Sequence, residues 1–294
     1  MWQCPQFLFL VMGSLIIITS VVSYLIGTHF FADPEQVVMV VLIVSIFLLI
    51  LSFTITRSFE QLAEASRMKS EFINIVSHQL RSPLTNIKWT FEILSSKDFE
   101  VPESKKEEYF VNVRENIARM VELIDDLLIV SRIEQGKLPV QKKEFDFVEL
   151  VKEQVSRYKV FAEASHIDLS LSVEEDFPKI FADQSLLKLV TENLIDNAIR
   201  YTPGNGKVSV AAKRRDKNSI IFSVQDTGVG IPLKEQKYIF QKFFRAENAL
   251  KQRTKGSGLG LYVCKTIVEK SGGKIWFKSE ENKGTTFFVV LPIK

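Results

Sequence analysis

Lysine and arginine are absent from residues 1–56, where Asp33 and Glu35 are the only acidic residues. About a quarter of the residues in an ordinary soluble domain are charged, so this stretch is not part of one. All 38 basic residues of the chain lie from Arg57 onward, and acidic residues nearly balance them, to a net charge of +3. That balance excludes the strongly basic surface that is typical of a nucleic-acid-binding protein.

Cysteine and histidine are scarce, with 2 and 3 copies in 294 residues. Cys4 precedes an apolar segment and Cys264 lies in a predicted helix far along the chain. We therefore expect neither a disulfide nor a cysteine metal site. The phosphate-binding pattern Gly-x-x-x-x-Gly-Lys-Ser/Thr is also absent, which argues against a P-loop nucleotide site.

Two uncharged apolar stretches, Phe7–Gly27 and Val37–Ile55, lie in the charge-poor region. As helices, each would be about 30 Å long, enough to cross the hydrocarbon core of a bilayer. A cleavable signal peptide is the alternative for the first stretch, but residues 1–6 lack the positive charge that such peptides carry. The sequence therefore predicts a transmembrane hairpin over residues 1–56.

The segment between the two stretches, Thr28–Gln36, has no basic residue, whereas Arg57, Arg67 and Lys69 follow the second stretch. The positive-inside rule then places both termini in the cytoplasm and the short segment outside. A segment this short cannot bury a core. We expect signals to arrive through the membrane helices, through a partner membrane protein such as a sensor or transporter, or from the cytoplasmic side.

A long amphipathic helix is predicted around His78. No glycine or proline occurs between Arg57 and Ser82, so the second span is expected to continue into this helix, with a weak coiled-coil seam. Apolar residues recur at helical spacing on both sides of the histidine, namely Phe72, Ile73, Val76, Leu80, Leu84, Ile87, Phe91 and Leu94. His78 lies off this stripe and should project into water, with Pro83 loosening the helix one turn later.

A second amphipathic helix should follow the loop Lys97–Glu103. The pattern Ser104-Lys105-Lys106-Glu107 is typical of a capping box at a helix start, and Gly136 is typical of a helix end. Two such helices joined by a short loop form an antiparallel hairpin. One hairpin has too little core to be stable alone, so we expect two copies to form a four-helix bundle in a homodimer.

The run Ser77–Leu84, Ser-His-Gln-Leu-Arg-Ser-Pro-Leu, closely resembles the phospho-acceptor box of bacterial sensor histidine kinases. The resemblance implies that His78 accepts phosphate. Gln79 stands where the family usually has an acid, which is thought to orient the histidine and help to take its proton. Ser82 stands where the family has threonine or asparagine, and it could position a water for dephosphorylation. A surface histidine on an amphipathic helix is the alternative interpretation.

Beyond the polar connector Lys137–Glu144, a candidate hinge, the pattern changes to alternating helices and strands. Helices are predicted over Phe147–Ala164 and Asp183–Tyr201. Strands are predicted over Ile167–Val173, Lys179–Ala182, Lys207–Lys213, Ile220–Gln225, Ile275–Ser279 and Thr286–Leu291.

The run Glu192–Pro203 resembles the asparagine box of the Bergerat-type ATP-binding domain of histidine kinases. Asn193 and Asn197 are four residues apart, so they share one helix face. An amide oxygen is a suitable ligand for Mg²⁺, and the resemblance implies Asn197 as the main metal ligand with Asn193 beside it. It also implies that Arg200 meets phosphate and that Tyr201 lines the pocket. The alternative is that both asparagines only cap nearby backbone.

Two further stretches resemble the glycine boxes of the same domain. In the first, Asp226–Pro232, the aspartate is implied to accept a hydrogen bond from the adenine amino group, while Gly228 and Gly230 let the backbone approach the base. The second, Lys255–Leu261, opens a predicted helix whose exposed N–H groups favour phosphate. Its implied nucleotide-binding residues are Gly256, Gly258, Leu259 and Gly260.

Phe240–Arg245 resembles the family's phenylalanine box, which implies Phe243 and Arg245 at the nucleotide site. The stretch Ala246–Lys255 is polar and basic, as expected of a mobile lid over ATP. Its cations, Lys251, Arg253 and Lys255, either touch phosphate or are simply solvated.

These resemblances cover roughly residues 68–294 and imply a membrane-bound bacterial sensor histidine kinase of a two-component system. The expected architecture is multidomain, with two transmembrane helices (1–56), a helical hairpin forming a dimeric four-helix bundle (57–139) and an α/β two-layer sandwich of the Bergerat ATPase fold (140–294). The cytoplasmic part would use ATP and Mg²⁺ to phosphorylate His78.

The phosphoryl group would then pass to a cognate response regulator, which this kinase could also dephosphorylate. Homodimerisation and location in the bacterial inner membrane are further expectations, and no nucleic-acid partner is expected. The alternatives are a membrane-anchored Bergerat-type ATPase and an inactive signalling scaffold, both without histidine phosphorylation.

Overall fold

The computed structural model describes residues 5–30, 33–95, 102–252 and 256–294. Several expectations fall outside these ranges: those for Cys4, for most of the loop Lys97–Glu103, and for the lid residues Arg253 and Lys255. The chain divides into two compact units, Met1–Gln79 and Leu80–Lys294.

The first unit contains helix α1 (Pro5–Phe30) and most of helix α2 (Pro34–Ser95). Both helices contain segments long and apolar enough to cross a membrane, Met12–Phe30 and Glu35–Glu64. The predicted connection Thr28–Gln36 was too long, because α1 continues to Phe30 and α2 already begins at Pro34.

Contacts between small side chains hold α1 and α2 together. The Ser20 and Ser45 hydroxyls share a hydrogen bond of 2.7 Å, and Gly27 lies directly against the Val37 side chain. Hydrogen bonds and close packing at small residues are the usual means of helix association in lipid, where burial of apolar surface provides no driving force. The two helices therefore form a hairpin.

Helix α2 continues through Pro83 to Ser95. Proline lacks the N–H that would bond to the carbonyl four residues earlier, yet it does not end the helix here. His78 is exposed on this helix, as its position off the apolar stripe predicts, and so is Ser82, while Gln79 is half-buried.

Helix α3 (Glu103–Glu134) begins differently from the sequence prediction. The capping box at Ser104 was wrong: the N-cap is Pro102, which makes no side-chain capping bond, and Ser104 lies inside the helix. Glu107 instead pairs with Arg114 at 2.8 Å. With Pro102 as the N-cap, Glu107 is the fifth helical residue and not the third, so its side chain no longer reaches the helix start, which explains the failure.

The predicted end of α3 near Gly136 is confirmed. This glycine has φ of 66°, and its N–H donates to the Ile133 carbonyl at 3.0 Å. The Lys137 N–H donates to the Arg132 carbonyl at 2.9 Å, which completes a Schellman motif.

The C-terminal part is a two-layer α/β domain. Its five-stranded sheet has the order β2-β4-β5-β7-β6, and a separate antiparallel pair joins β1 to β3. The strands are β1 (Lys143–Phe145), β2 (Asp168–Val173), β3 (Ile180–Ala182), β4 (Lys207–Arg214), β5 (Ser219–Asp226), β6 (Lys274–Glu280) and β7 (Gly284–Pro292). The helices are α4 (Phe147–Ala164), α5 (Gln184–Tyr201), the short α6 (Glu247–Gln252) and α7 (Gly260–Lys270), with a 3-10 turn over Gln236–Tyr238.

Helices α4, α5 and α7 pack together and against the sheet. Phe147 and Phe222 meet edge to face in the resulting core, with ring centroids 5.6 Å apart and both side chains fully buried. Aspartates start two of these helices: Asp146 accepts the Glu149 N–H at 3.0 Å, and Asp183 caps α5. The layered fold class, with its helical and α/β parts, is confirmed.

Strand β1, which the sequence did not predict, begins at Lys143 inside the polar connector Lys137–Glu144. Lys143 and Glu144 belong to β1, which pairs with β3. The Gln141 N–H also donates to the Asp183 carboxylate at 2.6 Å. The sequence of this stretch has no strand pattern because only Phe145 is buried in β1. Any hinge is therefore confined to the residues just before Gln141.

Candidate active site

A cleft in the second unit collects residues from α3, α5, the turn after β5, the segment before α6 and the start of α7. Most of the residues that the sequence singles out for nucleotide binding line it. These are Asn193, Asn197, Arg200, Tyr201, Asp226, Gly230, Arg245, Gly256, Gly258 and Gly260. Gly228, Phe243 and Leu259 do not line it, and each instead supports the residues that do.

Helix α5 presents both asparagines to the cleft. The Asn193 amide nitrogen donates to the Leu189 carbonyl at 2.9 Å, and its oxygen lies directly against Gly260. The side chain of Asn197 forms no hydrogen bond with another residue of the described ranges, so its amide is available to a ligand. Two amide oxygens on one helix face fit the oxygen-rich coordination of Mg²⁺.

Arg200 extends the same face of α5 by one turn. Its Nε lies 2.5 Å from the Asp196 carboxylate, and its terminal nitrogen lies 3.8 Å from the Glu122 carboxylate. Burial alone would lower the pKa of this guanidinium, but the two carboxylates outweigh burial and hold the pKa above its usual value. A fixed positive charge therefore lies at the edge of the cleft.

Asp226 is the last residue of β5, and it is buried. One of its carboxylate oxygens accepts hydrogen bonds from the Gly228 N–H at 2.8 Å and the Thr285 N–H at 3.1 Å. Burial nevertheless raises the pKa of this carboxyl to about 6. Both hydrogen bonds fall on Oδ1, so Oδ2 is the atom that remains for a ligand.

Gly228 and Gly230, which follow β5, lie against other segments of the protein backbone, whereas the sequence suggested only that they let the backbone approach the base. A Cβ on Gly228 would collide with the Tyr201 carbonyl oxygen and with the Asp226 carboxylate. Gly230 has φ of 62°, and a Cβ there would collide with the Glu280 carbonyl. Both glycines thus allow neighbouring backbone segments to pack closely, which orients Asp226 toward the cleft.

The start of α7 is held by its neighbours in a similar way. Gly258 has φ of 72° and lies against the backbone of Phe243, which itself has φ of 62°. Leu259 is fully buried and anchors the first turn of the helix. The Arg245 guanidinium lies beside Gly256 and donates to its carbonyl at 3.4 Å.

Sequence reasoning missed several residues of the cleft. Apolar side chains form one wall, among them Ile231, Ile239, Phe244 and Phe287. Thr285, in β7, supplies the second N–H that Asp226 accepts. Helix α3 adds Glu122 and Asp126, and Asp126 accepts the Ser257 hydroxyl at 2.6 Å. Ile231 and Phe244 lie inside the stretches Asp226–Pro232 and Phe240–Arg245 but were not singled out there. No local pattern identifies the others, because they reach the cleft only through tertiary packing.

Two protein families match this chain. Residues 68–136 match the His Kinase A (phospho-acceptor) domain, and residues 182–294 match the histidine kinase-, DNA gyrase B-, and HSP90-like ATPase. The first match contains the part of α2 that carries His78 and all of α3, and the second contains the cleft residues that follow β3.

Relatives and a solved structure agree with these matches. The alginate biosynthesis sensor protein KinB of Pseudomonas aeruginosa is 32% identical over 228 residues, which cover 77% of this chain and 37% of KinB. The adaptive-response sensory kinase SasA of Synechocystis is 30% identical over 245 residues, covering 82% of this chain and 63% of SasA. The chain thus spans less than two thirds of the length of either relative.

The crystal structure of histidine kinase ThkA in complex with response regulator protein TrrA is similar to this structure, with a TM-score of 0.62 and 25% sequence identity. The similarity covers 79% of this chain and 64% of that chain.

Proposed function

The chain belongs to the sensor histidine kinases of two-component systems, and we propose that it transfers the γ-phosphoryl group of ATP to His78 and then to an aspartate of a separate response regulator. One observation carries this proposal. The chain has an exposed histidine in the region that matches the phospho-acceptor domain, and Asn197 and Asp226 both line the cleft in the region that matches the ATPase domain. The matching relatives are named as sensor proteins and sensory kinases, which supports the same conclusion.

The cleft offers a separate group for each part of Mg-ATP. Asp226 would accept the adenine amino group, and the N–H groups at the start of α7 would meet the phosphates. Asn197, with Asn193 beside it, would hold Mg²⁺. When bound, Mg²⁺ would neutralise charge on the phosphates. Arg200 and Arg245 would add fixed positive charge on the same side.

His78 needs a neutral ring nitrogen to attack the γ-phosphorus. A neutral imidazole is already nucleophilic, so the attack itself needs no prior deprotonation. The ring must still lose a proton once the new N–P bond forms. Gln79 can orient the ring by a hydrogen bond, but its amide cannot accept that proton at neutral pH.

Gln79→Glu is therefore expected to speed autophosphorylation. We expect the initial rate at saturating Mg-ATP to rise by about fivefold or more, which is below the full effect of a positioned general base because water already takes the proton slowly. Gln79→Ala is the matched control and should be slower than wild type, since it loses the orienting bond as well. An unchanged or lower rate in Gln79→Glu would refute the idea that proton removal is limiting.

Ser82 is exposed one turn after His78, where its hydroxyl could position a water against a phosphorylated regulator. Ser82→Ala is expected to lower the rate at which the kinase dephosphorylates its regulator by about tenfold, with autophosphorylation unchanged. Loss of phosphate from the purified phosphorylated regulator measures this rate. Undiminished phosphatase activity in the variant would remove Ser82 from the mechanism.

The proposed organisation has three parts: a membrane hairpin (1–56), a dimerising phosphotransfer domain (57–139) and an ATP-binding domain (140–294). Two apolar helices support the first part. Large apolar side chains that are exposed along the helical hairpin support the second, because a second copy would cover them. They are Leu84, Phe91, Phe110, Ile117, Ile124 and Leu128. With residues 57–294 cytoplasmic, the protein would act at the inner face of the bacterial cell membrane.

The label formed from γ-labelled ATP distinguishes the proposed function from its alternatives. A histidine kinase acquires label on the protein that acid removes and alkali does not, because the N–P bond is labile in acid. An ATPase without histidine phosphorylation releases labelled phosphate and leaves the protein unlabelled. An inactive scaffold gives neither product, and either of the last two results would refute the proposed function.

A further inference from the structure

Helix α3 contacts the α/β domain through a row of acidic side chains. Glu122 lies 3.8 Å from Arg200, Asp126 accepts the Ser257 hydroxyl at 2.6 Å, and Glu134 forms an ion pair with Lys242. Asp126 follows Glu122 by four residues and Glu134 follows Asp126 by eight, so the three side chains lie along the same side of the helix. Val130, between the last two, is fully buried at the same face.

Two of these acids belong to the cleft itself. Glu122 and Asp126 line it together with their partners Arg200 and Ser257. Ser257 is in the glycine-rich turn that opens α7, which would meet the phosphates under the proposed function. In this structure the carboxylates of α3 therefore hold a hydroxyl donor and a cation that an incoming triphosphate would also meet.

We propose that Glu122 and Asp126 form an acidic latch that fastens α3 across the cleft, and that this latch and the phosphates of the nucleotide exclude each other. The proposal rests on the proposed function, since it assumes that a nucleotide enters this cleft. It adds an autoinhibitory contact: the docked helix weakens ATP binding, and bound ATP releases the helix.

Electrostatics gives the physical reason. A triphosphate and two carboxylates in one partly buried cleft repel one another, and the repulsion is stronger there than in water. Burial raises the pKa of Asp126, an effect that the hydrogen bond from Ser257 only partly offsets, so the docked carboxylate is already held at a cost. By linkage, whatever free energy the latch removes from ATP binding is the free energy with which ATP opens the latch.

Asp126→Asn removes the charge and keeps an oxygen that can accept the Ser257 hydroxyl. In the full-length protein in lipid nanodiscs, we expect this variant to bind Mg-ATP about fivefold more tightly or better. Its affinity for adenosine, which lacks phosphates, should not change. Asp125→Asn is the matched control: it removes the same charge one residue earlier, from an exposed side chain outside the cleft, and should leave both affinities as in wild type.

Equal effects of Asp126→Asn on ATP and adenosine would overturn the latch, because they would indicate a change in cleft shape rather than in charge. An unchanged ATP affinity would overturn it as well, while leaving the proposed function standing. Failure of the wild type and of every variant to bind ATP would instead contradict the proposed function itself.

A second measurement follows the docking of α3 directly, and it keeps the latch intact. Glu134→Cys with Lys242→Cys, in a Cys4→Ser background, places two thiols at the outer contact; Cys264 is fully buried and stays unreactive. A short bismaleimide should link the two thiols in the nucleotide-free protein. Mg-ATP should slow this cross-linking severalfold, and adenosine should not. A cross-linking rate that Mg-ATP does not alter would overturn the latch even if Asp126→Asn failed to fold.

Discussion

Asp226→Asn is expected to weaken Mg-ATP binding by about 100-fold or more and at the same time to make the ATP-binding domain more stable. Binding suffers because the substitution replaces the free carboxylate oxygen either with an amide NH₂ or with an oxygen of no net charge. The adenine amino group then loses a charged acceptor or meets another donor. Isothermal titration with Mg-ATP measures the loss.

The stability gain has a separate cause. Burial raises the pKa of Asp226 to about 6 from an ordinary value of 3.8, so the folded protein holds the ionised form at a cost. The raised pKa of Asp226 contributes to the free energy of unfolding, and this contribution is fully present below pH 3.8, where the carboxyl is protonated. It is lost as the pH rises through 6 and the buried carboxyl ionises. Asparagine can still accept both backbone N–H groups and has no charge to bury.

We therefore expect Asp226→Asn to exceed wild type in free energy of unfolding by up to about 3 kcal/mol above pH 7, with the difference shrinking toward pH 4. Melting temperatures at several pH values test this. Asp168→Asn, at an exposed position on β2, is the control and should show no such pH-dependent gain. A variant that is less stable than wild type at pH 7.5 would contradict the account of Asp226.

Asn197→Ala should lower the rate of His78 phosphorylation by about 100-fold or more, because the contribution of a bound metal to phosphate charge stabilisation amounts to several kcal/mol. The effect of Asn197→Ala on the Mg²⁺ dependence of ATP binding provides an internal control. Wild type should bind ATP more tightly with Mg²⁺ than with a chelator, and the variant should bind equally in both. A variant whose ATP affinity still responds fully to Mg²⁺ would show that the metal is held by other residues.

Sequence reasoning succeeded where a feature depends on neighbours along the chain. Helix α4 was predicted over the same residues that the structure shows, and α5 to within one residue. Gly230, Asp226 and the α5 asparagines lie in short motifs that resemble those of a known family, and the structure brings them to one cleft; their roles toward a nucleotide stay predictions. The strands β4 and β5 were equally clear, since their buried residues alternate with exposed ones.

Two of the failures concern features that distant residues determine. Strand β1 has only Phe145 buried, so it becomes a strand only because β3 pairs with it. The capping pattern at Ser104 was misleading, because the N-cap is Pro102 and Ser104 lies inside the helix. Asp126 looks like any acid on an amphipathic helix until Ser257, far along the chain, is brought against it.

The central claim is that one exposed imidazole, that of His78, receives the phosphoryl group from ATP bound by this protein. Wild type, His78→Ala and His166→Asn should each be incubated with γ-labelled Mg-ATP, and the alkali-stable label on the protein should be counted. His166 is an exposed histidine with φ of 56°, a backbone conformation that asparagine tolerates, so its replacement is a fair control. We expect full labelling of wild type and His166→Asn and none of His78→Ala. Undiminished label in His78→Ala would contradict the account.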